Sequence, residues 1–476
     1  MEYEILGLVL ILLVRIAWYI VIERRQRRLE EYERLPPGPR WWQLVTNIFQ
    51  SSFASHVSFA KWANKYGPIM TPWLGSMTTV VISSNEVAQE MFKNHDMVLS
   101  TTFLDILLGR KVYEAMKGDF GNEGSPITNQ YGPHWRMLRR LSTMELFVTS
   151  RLDAMRDVRT SFFFMAFNLI GNLMISKDLL DSKSNRGAKF FYHVGKVMEF
   201  AGKPNIADFS PRWLRWLDPQ GIRGKTQFHV KMAFRIAGEF LRERMDDIEN
   251  GEERKKDYLD VLLQYSGDGV EGPCRFSSRT INVILFEMFA AGTDTTTSTL
   301  EWAMAELLHN PTTLQRVQAE LRRVINLSNK LEEEDIDKLP YLNAVIKETL
   351  RFHPPLPFLV PHMAMDSCTM LGYHIPKETQ VIVNVWAIGR DPKTWKDPLK
   401  FKPEGFLECN TVDYKGHHFE FIPFGSGRRM CPAVPLVSLV LPLALGSVLR
   451  KFDWERMGIT LKKAMPLKAI PIAYKG

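Results

Sequence analysis

Phe424-Gly425-Ser426-Gly427-Arg428-Arg429-Met430-Cys431-Pro432-Ala433 is the stretch that decides how this chain folds and what it can do. Two glycines and a serine let the backbone curl tightly beneath one sulfur, with amide N–H groups turned toward it. An apolar, helix-like run starts near Val434 and places that sulfur at a helix N-terminus. Both effects favour thiolate over thiol. A thiolate in an apolar pocket beside a cation suits a haem iron that must push electron density onto bound oxygen, and Arg429 is placed to meet a propionate. A lone cysteine is more often a small buried hydrophobe. The glycine and arginine spacing around Cys431 tells against that reading here.

Upstream, apolar periodicity predicts a helix over Asn282 to Leu308, bounded by Ser277-Ser278 and Pro311. Within Ala291-Gly292-Thr293-Asp294-Thr295-Thr296, Ala291 and Thr295 share a face with Met288 and Gly292, a stripe against which a flat cofactor can lie. Gly292 removes a side chain where oxygen would need room. Thr295 offers a hydroxyl and Asp294 a carboxylate, a pair suited to proton delivery. The competing reading, that mid-helix threonines bond back to their own carbonyls, stays open.

Glu348 and Arg351 lie three apart in a helix predicted over Tyr341 to Arg351, before His353-Pro354-Pro355. They share a face and can pair, although a surface pair of this kind contributes little. Trp135 and Arg139, four apart, let an arginine bind an anion while an indole supports it. Arg136, Arg139 and Arg140 equally read as a solvated basic face that attracts an acidic electron donor.

A third helix is predicted over Phe162 to Ile175, and β-branched runs at Thr78 to Ser83 and Gln380 to Val385 read as short strands. The fold class is therefore mainly α with small β-sheets. A length of 476 residues, 45% of them hydrophobic, supports one large globular domain or two fused ones. Four cysteines, Cys274, Cys368, Cys409 and Cys431, lie far apart without close pairing, which fits a reducing cytosolic setting. The net charge of +8 comes from scattered basic residues with no finger or helix-turn-helix pattern. That argues against nucleic acid and for anionic lipid or an acidic protein partner. No G-x-G-x-x-G fingerprint accompanies a βαβ pattern, so electrons must come from outside the chain.

Ile5 to Ile22 is nearly all aliphatic and long enough to cross most of a bilayer. Arg15 near its middle costs about 2.5 to 3.5 kcal/mol, while thirteen Leu, Ile and Val return about 0.3 to 0.6 kcal/mol each. Insertion wins. The start at Met1-Glu2-Tyr3-Glu4 and the run Glu23-Arg24-Arg25-Gln26-Arg27-Arg28 are those of an uncleaved anchor, not a signal peptide, and keep the remainder of the chain in the cytosol. The sequon Asn326-Leu327-Ser328 should then stay unglycosylated. The chain thus divides into three parts: an anchor with its basic flank at 1–34, a stiff proline hinge at 35–40 (Leu35-Pro36-Pro37-Gly38-Pro39-Arg40), and a domain at 41–476.

The Cys431 segment resembles the F-x-x-G-x-R-x-C ligand loop of the cytochrome P-450 superfamily, with Ala433 where glycine is usual, and the other motifs occur in that family's order. The runs Phe167-Asn168-Leu169-Ile170-Gly171-Asn172 and Trp386-Ala387-Ile388-Gly389-Arg390-Asp391-Pro392 resemble plant microsomal members of the geraniol-hydroxylase-like group. The resemblance implies a haem-thiolate monooxygenase with haem b as cofactor, molecular oxygen as co-substrate, and electrons from NADPH through a membrane-bound reductase. It implies a single-pass anchor in the endoplasmic reticulum membrane and a small hydrophobic substrate, a terpenoid, phenylpropanoid or alkaloid. Cys431 is the implied iron ligand. Phe424, Gly427, Arg429, Trp135, Arg139, Ala291 and Gly292 would surround the haem, and Asp294 and Thr295 would deliver protons.

Glu348 and Arg351 become a structural lock beneath the haem. An arginine from a P-E-R-F segment usually completes that lock, but this chain has Pro403-Glu404-Gly405-Phe406, which predicts weaker haem retention. Met288, Phe358, Leu359 and Val360 are candidates for the substrate wall, as are the loops Phe120 to Pro126 and Met465 to Leu467. Ordinary core packing stays open for each. The stretch around Arg159-Thr160 is about one helix shorter than in similar proteins, and two outcomes stay open: a tolerated loss of a peripheral helix, or an exposed apolar face and a poorly folded variant. Two alternatives stay open: a haem-thiolate isomerase or dehydratase working without reductase, and a non-catalytic variant motivated by Gly405 and the shortened stretch.

Overall fold

The computed structural model describes residues 35–39, 55–72, 78–99, 101–102, 126–127, 131–146, 162–180, 185–201, 218, 220–267, 273–325, 330–408, 411–456 and 469–473. The span at 5–22, the loop at 465–467, the sequon, Cys409 and the junction at Arg159-Thr160 lie outside these, as does the early loop before Pro126. In chain order the elements begin with α1 (Ser55–Tyr66), β1 (Ile69–Met70), β2 (Thr79–Ile82), α2 (Asn85–Asn94), β3 (Thr101–Thr102), α3 (Pro133–Leu141), α4 (Phe162–Ile175), α5 (Asn185–Ala201), α6 (Ile222–Glu249) and α7 (Tyr258–Gln264). They continue with α8 (Ser278–His309), α9 (Pro311–Val324), α10 (Pro340–Phe352), β4 (His362–Met363), β5 (Cys368–Met370), β6 (Tyr373–Ile375), β7 (Gln380–Val383), α11 (Val385–Ile388), α12 (Glu404–Glu408), α13 (Val434–Lys451), β8 (Phe452–Arg456) and β9 (Ala469–Ala473). The chain is mainly helical with small sheets, as its sequence predicts.

Helix α8 is the post around which the rest is built. The Ser277 hydroxyl accepts from the Thr280 amide at 3.1 Å and caps its start. Asn310 ends it, and Pro311 opens α9 without breaking a helical bond, because the first turn has no use for that missing N–H. Val283, Ile284, Phe286 and Phe289 are buried, and the Phe289 ring lies 5.0 Å from Phe167 on α4 and 5.1 Å from Phe190 on α5. Each such ring contributes about 1.5–3 kcal/mol by burial. Helix α8 also packs against α6, α10 and α13, so motifs distant in sequence meet around it.

Arg244 fastens the α4–α6–α7 corner. Its guanidinium donates to Asp257 at 2.7 and 2.8 Å, to Asp260 at 2.7 Å and to the Ile175 carbonyl at 3.0 Å, while Asp257 caps α7. All three charged side chains are buried, and the cation satisfies both carboxylates.

The larger sheet has strand order β1-β2-β7-β4-β3. Strand β2 runs parallel to β7 in the register Val80 with Val381, and β7 is antiparallel to β4, His362 facing Val381. Both β2 and β7 are buried along their lengths, as their unbroken β-branched runs require. The predicted strand over 380–385 ends earlier, at Val383, because the Asn384 side chain accepts from the Ala387 amide at 3.1 Å and caps α11. The proline hinge is docked on this sheet's edge: Thr71 N–H donates to the Pro37 carbonyl at 3.1 Å, and Leu35 and Pro39 are buried. Among the described residues no helix is long and apolar enough to cross a membrane.

Candidate active site

The ligand loop is wound by a few short backbone bonds. Cys431 N–H donates to the Phe424 carbonyl at 3.0 Å and Met430 N–H to the Gly427 carbonyl at 3.2 Å. Gly427 takes φ +66°, where an L side chain is strained. Helix α13 begins three residues beyond the sulfur, and the Ala433 amide points at Sγ as expected. The expected ionisation does not arise from the loop alone. Burial pushes the Cys431 thiol up, and the Ala433 amide and Arg139 only partly oppose it. In the protein by itself the thiol form is favoured at neutral pH, so a metal must supply the rest of the stabilisation of a thiolate.

Beside the loop stand two half-buried guanidinia. Arg139 and Arg429 flank the buried Trp135 indole at 5.4 and 4.2 Å from its centroid, and Trp135 Nε1 donates to the Pro126 carbonyl at 3.1 Å. An Arg139 amino group donates to the Met430 carbonyl, tying α3 to the loop. Burial, then repulsion from Arg139, brings Arg429 down to about 9 against the pull of Asp96, and burial also lowers Arg139. The three neighbouring arginines of α3 thus divide. Arg136 and Arg140 are exposed while Arg139 turns inward.

Sequence reasoning missed His362. It is buried on β4, donates from Nδ1 to the Leu99 carbonyl at 2.7 Å, and stands within the field of Arg429. Its neighbours Val360 and Pro361 form no motif that would flag it; a buried histidine shows only once the sheet is built. Burial depresses it to about 4 despite the Leu99 bond. Between its ordinary value and about 4 the unfolded chain binds a proton that the folded chain refuses, so stability falls on acidification through that window. We expect the cofactor-free protein to lose up to about 3 kcal/mol between about pH 6.5 and 4 through this group. Urea unfolding of wild type beside His362→Asn measures it: the variant should show a shallower slope, and equal slopes contradict the assignment.

Helix α8 packs against α13, the helix that follows the ligand loop. Turns 283–290 are buried, and burial is interrupted at Ala291, Gly292 and 294–296. Met288 is buried and Asp294 is exposed. The Thr295 hydroxyl donates to the Ala291 carbonyl at 2.6 Å, and Thr296, Thr297 and Thr299 bond back likewise. The competing reading of these threonines is therefore what their hydroxyl hydrogens do, while the Thr295 oxygen keeps lone pairs for a second partner. The room expected beside Gly292 is taken by a neighbour: an added Cβ would lie 2.8 Å from Ile170 Cδ1. Its missing side chain serves the close crossing of α4 and α8.

Glu348 and Arg351 are no surface pair. Their side chains are 2% and 3% exposed, and Nε and Nη2 of Arg351 grip the carboxylate at 2.7 Å each. Arg351 also donates to the carbonyls of Gly389 (2.5 Å), Pro398 (3.0 Å) and Lys400 (3.0 Å), and Lys402 N–H donates to Glu348 at 2.6 Å. The segment 398–402 is thus held against α10 without the arginine missing at position 405, where an added Cβ would meet open space.

Among the proposed wall residues, Phe358 packs its ring 5.5 Å from Phe59 and 6.1 Å from His56, beside the sheet. Leu359 has φ +53°, and its Cδ1 lies 3.8 Å from where a Gly425 Cβ would be, so it rests on the ligand loop. Val360 is half-buried.

A soft sulfur ligand, two half-buried cations flanking a buried indole, and an interrupted helix face fit an iron porphyrin with two carboxylate tails. Comparison with known proteins agrees. The sequence profile described as Cytochrome P450 matches residues 36–160 and 149–470, two overlapping stretches that meet where the chain reads as shortened. An iridoid oxidase of Catharanthus roseus is 42% identical over 92% of this chain and 92% of its own. A geraniol 8-hydroxylase of Catharanthus roseus is 39% identical over 99% of each chain. A solved zebra fish cytochrome P450 with progesterone superposes with a TM-score of 0.68 at 24% identity, covering 85% of this chain and 94% of that one.

Proposed function

This chain belongs to the cytochrome P450 family and is a monooxygenase, and we propose that it oxidises a small, largely apolar terpenoid alcohol with NADPH-derived electrons. The observation that carries the reading is the half-buried Cys431 on a loop tied to Arg139, which with Arg429 flanks the buried Trp135 indole. The substrate class rests on the likeness to an iridoid oxidase and a geraniol 8-hydroxylase, together with the apolar character of Met288 and Ala291 on α8. In this proposal the electrons arrive from a membrane-bound NADPH-dependent reductase. Residues 5–22 anchor the chain in the endoplasmic reticulum membrane with the domain in the cytosol.

Bound haem supplies the redox chemistry, activating molecular oxygen so that one atom enters a C–H bond. The chain supplies position and protons. Cys431 would hold the iron, and Arg139 and Arg429 would hold the propionates. Exposed Asp294 exchanges protons with solvent and stands next to Thr295, whose hydroxyl must turn from the Ala291 carbonyl to pass a proton inward. A complete lock around Arg351 argues for an active enzyme over a non-catalytic relative, since the absent third arginine leaves none of that side chain's nitrogens without a partner.

The test is expression with a reductase in microsomes, supplied with geraniol-like alcohols. NADPH-dependent products carrying one added oxygen are expected, and turnover of organic peroxides without NADPH would favour an isomerase instead. Thr295→Ala should keep consuming NADPH while product per NADPH drops by about 10²-fold, the low end of what a positioned proton donor contributes. Unchanged coupling would remove Thr295 from the mechanism.

A further inference from the structure

The helix α2 ends at Asn94, and two residues later Asp96 reaches the ligand loop from the far end of the sequence. Both its oxygens accept from the Arg428 amide at 3.2 Å, and Oδ2 accepts from the Arg428 guanidinium at 2.9 Å. The carboxylate is pressed against the loop: a Cβ on Gly427 would lie 2.4 Å from its Oδ1. The loop glycine therefore serves two needs at once, a left-handed turn and room for this anion. Arg428 in turn donates from Nε to the Tyr131 hydroxyl at 3.2 Å, and the Tyr131 ring lies 5.5 Å from Trp135, the indole between Arg139 and Arg429. Asp96 is 10% exposed while Arg428 is 43% exposed, so the acid is the inner member of the pair. It is also the acid whose charge acts on the half-buried Arg429.

We infer that Asp96 is a positioning residue for the thiolate loop: it clamps the loop through Arg428 and sets the charge felt at the iron. The inference rests on the haem-thiolate reading of Cys431. A purely mechanical clamp and an electrostatic one differ in sign when its two halves are removed separately. Loss of the Asp96 anion destabilises ferric iron and raises the reduction potential, whereas loss of the Arg428 cation lowers it. If the pair only holds the loop in shape, both losses loosen the same bond and move the potential the same way.

The experiment uses the haem-loaded full-length protein, with potentials read by dye-mediated spectroelectrochemistry and ligation by the reduced carbon monoxide spectrum. Asp96→Asn keeps the shape and removes the charge; Arg428→Met removes the cation at an exposed position. A higher potential for the first, a lower one for the second, and faster loss of the thiolate-type band on mild warming in both are expected. Shifts of the same sign, or no shift in either, overturn the proposal while leaving the haem-thiolate reading intact. Should Asp96→Asn fail to fold, Arg428→Met decides alone: a lower potential supports the proposal, and an unchanged or higher one overturns it. A wild type without the thiolate-type band defeats the functional reading, and this inference with it.

Discussion

Arg351→Met is expected to lose about 3–5 kcal/mol in urea unfolding, a large share of the roughly 5–15 kcal/mol by which an ordinary domain stays folded. Methionine fills similar space but strands the buried Glu348 carboxylate and the carbonyls of Gly389, Pro398 and Lys400. Breaking such a pair from one side costs far more than the pair contributes, because the remaining buried charge has no water and keeps only the Lys402 amide as a donor. Burial already pushes Glu348 above the ordinary carboxylate range even with Arg351 beside it. Without Arg351 the shift grows. The folded form then holds a proton that the unfolded chain releases, so stability declines as pH rises past the unfolded carboxylate value. The variant's deficit should therefore be smaller near about pH 5 than near about pH 8. A loss under about 1 kcal/mol with no pH dependence would mean that the lock is decorative.

Cys431→Ala should abolish oxygenation altogether and leave the chain folded. Removing one sulfur atom is a small change in packing, on the order of 1–2 kcal/mol, since the loop is held by Cys431 N–H to Phe424, Met430 N–H to Gly427 and Arg139 to Met430, none of which needs the sulfur. The chain, by contrast, would lose the sulfur that holds the haem iron. Circular dichroism should stay close to wild type while product with reductase and NADPH falls to background. Oxygenation retained by a folded Cys431→Ala protein would end the assignment.

Much of this is legible in the residues because it is local. The run Phe162 to Ile175 carries its apolar spacing to both ends, and the helix has those bounds. Periodicity starts α8 at Asn282, one turn late, since Ser278, Arg279 and Thr280 carry no apolar spacing and only the Ser277 cap marks the true start. Glu348 with Arg351, and Trp135 with Arg139, are pairs within a single helix, so spacing alone brings them together. Asp96 with Arg428 and His362 with Leu99 lie 332 and 263 residues apart, and no spacing rule reaches across a sheet and a loop. Burial is the other blind spot. The loop promises a thiolate from its amides and helix end, yet desolvation outweighs both until a metal is bound. Gly292 reads in sequence as room for oxygen because its neighbour Ile170 comes from another helix.

The most direct test of the central claim is the absorption spectrum of the purified, haem-loaded protein reduced under carbon monoxide. Ligation of the iron by Cys431 predicts the strongly red-shifted band of a thiolate-bound haem. A band at the shorter wavelength of a histidine-ligated haem, or well-folded protein that takes up no haem at all, would contradict it.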